Sequence, residues 1–495
     1  MTEARSKSYS TPPNRSTAAH ASIIQIPPGA KEVDMSAGSG RTRMPPWQGL
    51  ADALRGKLHL PGDADYDLRR RVWNGAIERR PLSIARCADA DDVCAAVKFA
   101  ASEHLPMSVR GGGHNVAGLA VRDDALMLDL GEMNHVEVDA QARLARVEGG
   151  ALWRGVDAAA QAHGLATTGG FVSTTGVGGY TLGGGVGWLM RRCGLAIDNL
   201  LEAEVVLADG RSVTASEKQH PDLFWALRGG SGGLGVVTCF TYRLHQVGEV
   251  YAGVAFHPIA AAADLLRAFA AFTRDAPEAC TAMLVFTTAP PLPFLPAAAH
   301  GKRAVALAFC WSGDPARGRE MMRPIAEFGQ PFGRHEGVMP YAAWQQMFDA
   351  GVPAGDHYYW TTSQFNALDD VLIDVLIPRA TTPPDPLCEV HVHHLGGVVA
   401  TVPNDATAFS SRDVRFFINV IGHAGAAGRF AAVRDWVHDL RAALAPYARA
   451  YVQPNFAGEP ADLKSRTHDA GSQARLAALR AHYDPEGLLV PVRSG

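Results

Sequence analysis

Residues 109–119, Val-Arg-Gly-Gly-Gly-His-Asn-Val-Ala-Gly-Leu, are the most informative stretch of the chain. Three consecutive glycines carry no Cβ atom, so their backbone N–H groups can approach a ligand closely and adopt positive φ, as the cradling of a diphosphate requires. His114 follows these glycines and is expected at the tip of the loop. A single loop histidine is by itself more typical of a hydrogen-bonded structural residue, so the wider sequence has to decide its role.

Glycine is enriched in the region that follows this loop. The chain has 51 glycines, about a tenth of its residues against a usual share near 7%. They cluster at 111–113, at 176–179, at 183–187 and at 229–235. One such cluster is typical of a tight turn, whereas four within one domain favour a backbone cradle for a nucleotide cofactor.

The last cluster matches the dinucleotide fingerprint, with Gly-Ser-Gly-Gly-Leu-Gly at 230–235. That fingerprint needs a strand before it and a helix after it. Here the predicted helix 221–228 comes before and the predicted strand 236–244 comes after. No Walker A lysine follows a glycine cluster either, so the sequence predicts a nucleotide cofactor bound outside the Rossmann arrangement.

The composition is that of a globular protein. The chain has 495 residues, 47% of them hydrophobic and 19% charged, with a formal net charge of −4. This length allows two or three domains, and the charge argues against nucleic acid or an anionic membrane as partner. No apolar run is long enough for a membrane-spanning helix or a signal peptide, so we expect a cytoplasmic location. The seven scattered cysteines are expected to be free thiols: Cys87, Cys94, Cys193, Cys239, Cys280, Cys310 and Cys388.

The sequence pattern predicts four segments and a mixed α+β fold. Residues 1–44 are poor in aromatic residues and lack periodicity, which indicates a disordered tail or a start codon chosen too early. Residues 45–248 form a first α+β domain and residues 249–440 a second one. Residues 441–495 are expected to return to the first domain.

Local signals predict several individual elements. An Asp-rich N-cap at Asp89 to Asp92 opens a helix with Val93, Ala96, Val97 and Ala100 on one face. Residues 136–138 and 144–147 form a hairpin. Further predictions are helices at 151–163, 259–272 and 424–444, strands at 304–310, 389–395 and 414–421, and a loop at 289–296.

The loop at 109–119 resembles the flavin-attachment loop of the p-cresol methylhydroxylase and vanillyl-alcohol oxidase superfamily. The resemblance is strongest to the branch of berberine bridge enzyme-like oxidases and 6-hydroxy-D-nicotine oxidase. It extends in family order through DADY at 63–66 with Trp73-Asn74, LDL at 128–130, GVGGYTLGGG at 176–185, GLAIDN at 194–199, ADG at 208–210, DLFWALR at 222–228 and GVV at 235–237. Two further short matches to the family pattern lie near the C-terminus, at Arg475-Leu476 and at Tyr483-Asp484-Pro485.

The resemblance implies an FAD-binding domain of two small α/β subdomains and a substrate domain with an antiparallel sheet flanked by helices. It also implies that FAD is bound covalently through a ring nitrogen of His114. The other implied cofactor-binding residues are Arg110, Gly111, Gly112, Gly113, Asn115, Gly118, Thr175, Gly176, Gly178, Gly179, Gly183, Asp198, Asn199 and Val237.

Some positions depart from the family pattern. Many related enzymes form a second flavin bond from a cysteine four residues before the Gly-Val-Gly-Gly run, and Val172 stands there in this chain. Cys193 lies 21 residues too late to replace it, so a single covalent bond is predicted. Gly487 also stands where the family usually has asparagine after Tyr-Asp-Pro.

The catalytic base implied by the resemblance is a tyrosine of a Tyr-x-Asn-Tyr segment. The equivalent segment is Tyr451-Val-Gln-Pro-Asn-Phe456, with two inserted residues and phenylalanine in place of the second tyrosine. Tyr451 is therefore the candidate base, and the alternative is a packed aromatic residue.

Candidate substrate residues lie in the second domain. His391 and His393 share one face of a predicted strand, and Trp360 belongs to an aromatic run. We predict that these residues line a substrate pocket, and the alternative for the aromatic run is that it packs partly in the core. A metal site is the alternative for the two histidines, but the spacing supplies no third ligand beyond Glu389, so no metal is predicted.

These observations predict an FAD-dependent oxidase that removes a hydride from a hydroxyl- or amine-bearing carbon of a small natural product or sugar, with oxygen as acceptor. Thr175 stands at the position that influences oxygen access in related enzymes. Two alternatives remain open, a dehydrogenase with another acceptor and a flavin-binding protein that has lost catalysis.

Overall fold

The first part of the chain alternates short strands and helices. The computed structural model describes residues 45–459 and 467–489, so the predicted tail at 1–44 lies outside the described residues. The helices of this part are α1 (Trp47–Ala53), α2 (Tyr66–Arg69), α3 (Ala90–Ser102), α4 (Trp153–Gln161), α5 (Val177–Leu182), α6 (Met190–Cys193), α7 (Ala196–Asn199) and α8 (Pro221–Leu227). The strands are β1 (Lys57–His59), β2 (Ser83–Arg86), β3 (Met107–Arg110), β4 (Leu126–Asp129), β5 (Val136–Asp139), β6 (Leu144–Glu148), β7 (Leu165–Ala166), β8 (Leu200–Val206), β9 (Ser212–Ser216), β10 (Val236–Arg243) and β11 (His245–Gln246).

The second part has longer strands. Its strands are β12 (Glu249–Pro258), β13 (Cys280–Thr288), β14 (Arg303–Trp311), β15 (Gly333–Pro340), β16 (His357–Phe365), β17 (Glu389–His394) and β18 (Phe416–Ala424). Its helices are α9 (Ala262–Phe272), α10 (Pro315–Ala326), α11 (Tyr341–Gln345), α12 (Asp370–Ala380), α13 (Val398–Thr401) and α14 (Phe430–Leu444), and α15 (Ala470–Tyr483) follows near the C-terminus.

A four-stranded sheet in the order β1-β2-β4-β3 carries the glycine loop at its edge, since residue 111 follows β3 directly. Strands β2 and β3 both run parallel to β4. Helix α3 packs its predicted face on this sheet, and the Asp89 carboxylate accepts the Asp92 N–H as the N-cap. The end of β3 is therefore held rigidly where the loop begins.

A five-stranded sheet in the order β5-β6-β10-β8-β9 forms the second layer of this part. The predicted hairpin is β5–β6, with Val136 opposite Val147. Helix α8 comes before the glycines at 229–235 and strand β10 comes after them. The order predicted from the sequence, opposite to that of a Rossmann fold, is therefore confirmed.

A seven-stranded antiparallel sheet in the order β15-β12-β14-β13-β17-β18-β16 dominates the second part. One face packs against helices α9, α10, α12 and α14 in a large apolar cluster. The other face packs against Trp188, Leu189 and Phe171 of the first part. Because strand residues alternate between faces, this second face is the one that faces the first part of the chain.

One predicted helix begins later than expected and ends where predicted, at Leu444. The sequence predicts a helix at 424–444, whereas strand β18 extends to Ala424 and helix α14 begins at Phe430. The alanines and glycines at 424–428 resemble a helix in composition. They are instead a strand end, a bend and the start of a short 3₁₀ helix (Ala427–Arg429), because β16 pairs with β18 as far as Ala424.

The chain returns to the first part after residue 467. Leu476 of α15 belongs to the same apolar cluster as Leu223 of α8. The Leu488 carbonyl accepts the Met107 N–H at the start of β3. The described residues after Pro45 belong to one compact unit, so the domain boundaries at 248 and 440 stay a prediction. Within the described ranges, no helix is long and apolar enough to cross a membrane.

Candidate cofactor site

A long cavity, here called the main cavity, lies among three glycine-rich stretches. Its walls come from the loop after β3, from residues 170–183 around α5, and from residues 231–237 before and within β10. The residues predicted to bind the cofactor that line it are Gly111, Gly112, Gly113, His114, Asn115, Thr175, Gly176, Gly178, Gly179, Gly183 and Val237. Residues of all four glycine clusters thus line one cavity, although Gly183 is the one glycine of the cluster at 183–187 among the lining residues.

Two of the loops touch backbone to backbone. A Cβ atom on Gly112 would lie 2.5 Å from both the nitrogen and the Cα of Gly176. Backbone atoms cannot move aside as a flexible side chain can, so neither loop tolerates a side chain at this contact. These two glycines therefore set the distance between the loop after β3 and helix α5.

The cavity wall suits a long polar cofactor such as a dinucleotide. The space beside the Cα atoms of Gly179 and Gly232 is open, so a ligand can approach the backbone there. The hydroxyl groups of Ser108 and Ser231 are buried in the wall and have no hydrogen-bond partner. Buried polar atoms are nearly always paired in folded proteins, so these hydroxyls are suited to a ligand that offers donors and acceptors along its length.

His114 lies in the wall of the main cavity between two fixed neighbours. Its Nε2 atom is 3.0 Å from Thr174 Oγ1. The Trp73 ring stacks on the imidazole, with centroids 4.6 Å apart and an interplanar angle of 19°. Burial lowers the pKa of His114 to about 4. The imidazole is therefore neutral at physiological pH and fixed in orientation.

Arg110 supports the loop from outside the main cavity. Its guanidinium group forms a two-point ion pair with the buried Asp129 carboxylate and donates to the Arg69 and Arg71 carbonyls. Arg110 is not among the residues that line the main cavity, and its part in holding the cofactor stays a prediction. The side chain is used inside the protein, where it fixes the end of β3.

Three more expected cofactor residues do not line the main cavity. Asp198 pairs with Arg412 and accepts the Leu195 N–H. Asn199 donates to the Cys193 and Leu195 carbonyls. Gly118 has a φ of +70°, and a Cβ atom there would meet the Ile77 side chain. These residues make internal contacts of the fold in this structure, and their part in cofactor binding stays a prediction.

The position of the second flavin-bonding cysteine in related enzymes faces the main cavity but holds no thiol. Val172 lines the cavity wall. All seven cysteines are free, and none of them is among the residues that line this cavity. Cys193 is buried in the apolar cluster beneath Trp188, where burial raises the pKa of its thiol to about 11.

The other end of the main cavity meets the seven-stranded sheet. Phe171, Trp360 and Phe456 line it there. His393 lies behind this wall, stacked on Phe417 at 4.2 Å and with its ring centroid 5.0 Å from that of Phe171. His391 lies two residues before His393 on β17, and its Nε2 atom is 2.8 Å from the Glu389 carboxylate.

The predicted base is not brought to the cavity. Asn455 and Phe456 line the main cavity, whereas Tyr451 is not among its lining residues. Residues 449 and 453 are tied by hydrogen bonds to strand β16. In the described parts of the chain, no group of three or more histidine, cysteine or acidic side chains is placed to hold a metal ion.

Sequence reasoning missed several residues of this site. Thr174 binds His114, Trp73 stacks on it, and Ser108 and Ser231 present free hydroxyls to the cavity. Trp73 belonged to a quoted motif, so a signal existed for it. Ser231 stands within the glycine cluster at 229–235, so a signal existed for it as well, whereas nothing in the local sequence of Ser108 distinguishes a cavity wall from a surface.

Comparisons with known proteins agree with this geometry. Residues 81–216 match the FAD binding domain family. An FAD-linked oxidoreductase of Dictyostelium discoideum is 27% identical over 442 residues, which cover 88% of this chain and 93% of that protein. The (R)-6-hydroxynicotine oxidase of Paenarthrobacter nicotinovorans is 38% identical over 195 residues, 39% of this chain and 43% of that protein.

A solved structure shows the same fold over nearly the whole chain. Berberine bridge enzyme-like protein 1 of Physcomitrella patens superposes with a TM-score of 0.81 and 21% identity, covering 90% of this chain and 98% of that one. The chain is an FAD-dependent oxidoreductase. Its resemblance to the p-cresol methylhydroxylase and vanillyl-alcohol oxidase superfamily, in the berberine bridge enzyme-like branch, is confirmed.

Proposed function

We propose that this chain is an oxidase that binds FAD through one covalent bond to His114. It takes a hydride from a hydroxyl- or amine-bearing carbon of a small natural product or sugar and passes the electrons to oxygen. The observation that carries the proposal is the state of His114 at the wall of the main cavity. That imidazole is neutral, is fixed by two neighbours and has one nitrogen free.

The two ring nitrogens of His114 have different surroundings. Nε2 lies beside Thr174 Oγ1, whereas Nδ1 has no hydrogen-bond partner in the described parts of the chain. In the tautomer that donates its Nε2–H to Thr174, the Nδ1 lone pair is available. A neutral imidazole is a nucleophile and an imidazolium is not, so the low pKa of His114 favours bond formation at Nδ1.

The bond would join Nδ1 of His114 to the 8α-methyl carbon of the flavin. The chain would supply the neutral imidazole as nucleophile, and FAD would supply the two-electron oxidising power for its own attachment, with oxygen as the final acceptor of the two electrons. The absence of a thiol at Val172 supports a single bond to the protein.

The residues that would hold FAD are the glycine backbones of the main cavity and the hydroxyls of Ser108 and Ser231. When bound, FAD supplies the hydride acceptor for the reaction. The chain itself would orient the cofactor through the Gly112–Gly176 contact. It would separate the cofactor from water by the wall of Phe171, Trp360 and Phe456.

The experiment that tests this proposal is flavin retention after denaturation. Purified protein is unfolded in acid or urea, and the flavin that stays with the polypeptide is measured by absorbance and intact mass. We expect one FAD per chain in the natural protein and none in His114→Ala. The control is His257→Ala, another buried histidine with a pKa lowered by burial, which should keep the bond. Covalent flavin in His114→Ala would overturn the assignment.

The substrate would lie against the face of the seven-stranded sheet behind Phe171 and Phe456. Strands β17, β18 and β16 place His393 opposite Phe417 and Phe417 opposite Gln364. His393 Nε2, Asn419 Oδ1 and Gln364 Oε1 are buried without a partner. Burial keeps the pKa of His393 well below its usual value, so the ring is neutral. Such a face is suited to a substrate with several hydroxyl or amine groups.

Oxygen as acceptor is proposed because similar proteins are named oxidases. Thr175, which stands where related enzymes commonly have a small aliphatic residue, lines the cavity and is the polar residue that could slow oxygen entry or hydrogen-bond the cofactor. Stopped-flow reoxidation of the reduced protein in air measures this directly. Reoxidation within seconds supports an oxidase. Reduced flavin that persists for minutes would show a dehydrogenase that uses another acceptor.

A second candidate function is FAD binding without substrate oxidation. It is favoured by Phe456, because the cavity wall has no phenol where the resemblance expects one, and Tyr451 is not among the lining residues. Tyr451 remains the proposed base of the oxidase. An anaerobic screen of alcohols, sugars and amines that bleach the flavin band distinguishes the two. Bleaching by any substrate, and its loss in Tyr451→Phe, supports the oxidase with Tyr451 as base.

A further inference from the structure

A short segment behind the flavin loop connects His114 to the seven-stranded sheet. The segment is Trp73-Asn74-Gly75, and its partner is the stretch Gly355–Tyr358 at the start of β16. We name these two paired stretches the Trp73 clamp. Trp73-Asn74-Gly75 lies between the loop after β3 and the second part of the chain. None of its three residues is among the residues proposed above to hold FAD.

Rings stack continuously through the clamp. Trp73 stacks on His114 on one side and on Tyr358 on the other, with centroids 4.6 Å and 3.9 Å apart and interplanar angles of 19° in both cases. Tyr358 stacks in turn on His423 at 4.4 Å. His423 Nε2 lies 2.8 Å from the Asp356 carboxylate. The plane of the His114 ring is thus coupled to side chains of β16 and β18.

Backbone hydrogen bonds fix the position of the Trp73 ring. The Trp73 N–H donates to the Gly113 carbonyl, and the Gly355 N–H donates to the Trp73 carbonyl. The indole Nε1–H donates to the Val352 carbonyl. The indole ring therefore has fixed partners on the flavin loop and on the second part of the chain, and it cannot rotate without losing them.

Asn74 joins the same two regions with its side chain. Its Nδ2 atom donates to the Val116 carbonyl at 2.7 Å and to the Tyr358 carbonyl at 2.9 Å, and its Oδ1 atom accepts the Tyr358 N–H at 3.0 Å. Asn74 is 1% exposed. A buried amide that satisfies backbone groups on both sides fixes the flavin loop against β16.

We infer that Trp73 is a positioning residue for the covalent bond to flavin, and that β16 holds it in place through the clamp. Trp73 keeps the imidazole plane fixed while Thr174 holds Nε2, so that Nδ1 stays directed at the cofactor. Covalent attachment then requires the second part of the chain to be folded and packed against the first. This inference rests on the proposed bond to His114.

The chemistry of attachment explains why orientation matters. Bond formation at Nδ1 needs the nitrogen lone pair to point at the 8α carbon, and an imidazole free to rotate about its side-chain bonds spends little time in that geometry. A misplacement of about 1 Å can slow such a reaction about a hundred-fold. Loss of the stack is therefore expected to slow attachment much more than it weakens noncovalent FAD binding.

The test compares rates of attachment in full-length apoprotein incubated with FAD in air. The variants are Trp73→Leu, which removes the stack, and Trp73→Phe, which keeps an aromatic ring. Trp47→Leu is the matched control, because Trp47 is equally buried but packs against Phe99 in another cluster. Total bound flavin, flavin retained after denaturation and thermal midpoint are measured for each.

We expect Trp73→Leu to bind FAD but to attach it about ten- to a hundred-fold more slowly, with Trp73→Phe close to the natural rate. Trp47→Leu should lower the thermal midpoint by a similar amount and attach flavin at the natural rate. Tyr358→Leu, which removes the support of Trp73 from β16, should slow attachment as well. It carries the test alone if Trp73→Leu does not fold.

The outcomes separate this inference from the function it rests on. Attachment at the natural rate in Trp73→Leu or Tyr358→Leu overturns the positioning role while the bond to His114 stands. Equal slowing in Trp47→Leu shows general destabilisation and also overturns it. A natural protein that releases all its flavin on denaturation refutes the covalent bond itself.

Discussion

At the scale of single residues, burial decides the protonation state of the groups around the cofactor site. His114 is kept neutral by burial, which lowers its pKa to about 4. The pKa of Asp157, on helix α4, shifts in the opposite direction. Burial raises this pKa to about 7, and the nearby Asp349 carboxylate contributes to the rise. In both cases the charged form is disfavoured because no full countercharge accompanies it.

Asp157 predicts a pH dependence of stability. Its Oδ2 atom has Gln345 Nε2 at 3.3 Å as a neutral partner. In the unfolded chain an aspartate titrates near 3.9, so between about pH 4 and pH 7 unfolding releases a proton. The contribution of Asp157 to the free energy of unfolding is therefore fully present below pH 4. It falls by up to about 4 kcal/mol as the pH rises through 7.

Urea unfolding of Asp157→Asn across this range checks the prediction. The variant should gain stability relative to the natural protein as the pH rises from 4 to 8, because it has no proton to release. The control is Asp209→Asn at an exposed carboxylate paired with Arg211, which should change little. A constant difference between Asp157→Asn and the natural protein at every pH would contradict the raised pKa.

At the scale of elements, ion pairs and caps place short helices that have little stability of their own. Helix α7 has four residues. The Asp198 carboxylate accepts the Leu195 N–H at its start and binds the buried Arg412 guanidinium at 2.7 and 3.0 Å. This pair connects α7 to the loop before β18. The motif at 194–199 thus has a packing role in this structure, and its predicted part in cofactor binding stays a prediction.

Arg412→Leu is predicted to lower the free energy of unfolding by about 3–5 kcal/mol, because Asp198 would remain buried without its cation. The double variant Arg412→Leu/Asp198→Asn should be less destabilised than the sum of the single variants, since no unpaired charge remains. Urea unfolding measures both. The flavin spectrum should stay unchanged in all variants, and loss of FAD from a folded Asp198→Asn protein would restore Asp198 as a cofactor ligand.

At the scale of the whole molecule, the cofactor site is assembled from distant segments. The flavin loop, the stretch around α5 and the residues before β10 supply the cradle, while Trp360 and Phe456 close it from the second part. The seven-stranded sheet provides the rigid base for that closure, because one face is covered by four helices. The rigidity of this base depends on which strands are paired on both sides.

Hydrogen exchange should be slower in strands that are paired on both sides than in a strand at the sheet edge. Strand β13 is paired with β14 and β17, whereas β15 at the sheet edge is paired only with β12 among the described strands. Amides of 283–286 should therefore exchange much more slowly than those of 334–339. Exchange measured by mass spectrometry on the flavin-loaded protein checks this. Equal protection of the two strands would show that another element covers β15.

The sequence by itself determined the local features of this protein. Glycine clusters, the Asp89 cap, the β5–β6 hairpin and the helix-before-strand order around the glycines at 229–235 all depend on backbone preferences over a few residues, and the structure has them. The FAD-binding class followed from motifs in a fixed order. The predicted helix at 424–444 begins late, at Phe430, for a tertiary reason, because β18 is paired with β16 as far as Ala424.

Tertiary structure alone decided which distant side chains meet. Trp73 and Asn74 reach Tyr358, Asn74 across a separation of 284 residues, and Asp198 binds Arg412 instead of lining the cavity. Phe456 faces the cavity and Tyr451 does not. Such contacts depend on how the whole chain packs, since a residue's own neighbours in sequence do not fix which far segment lies against it.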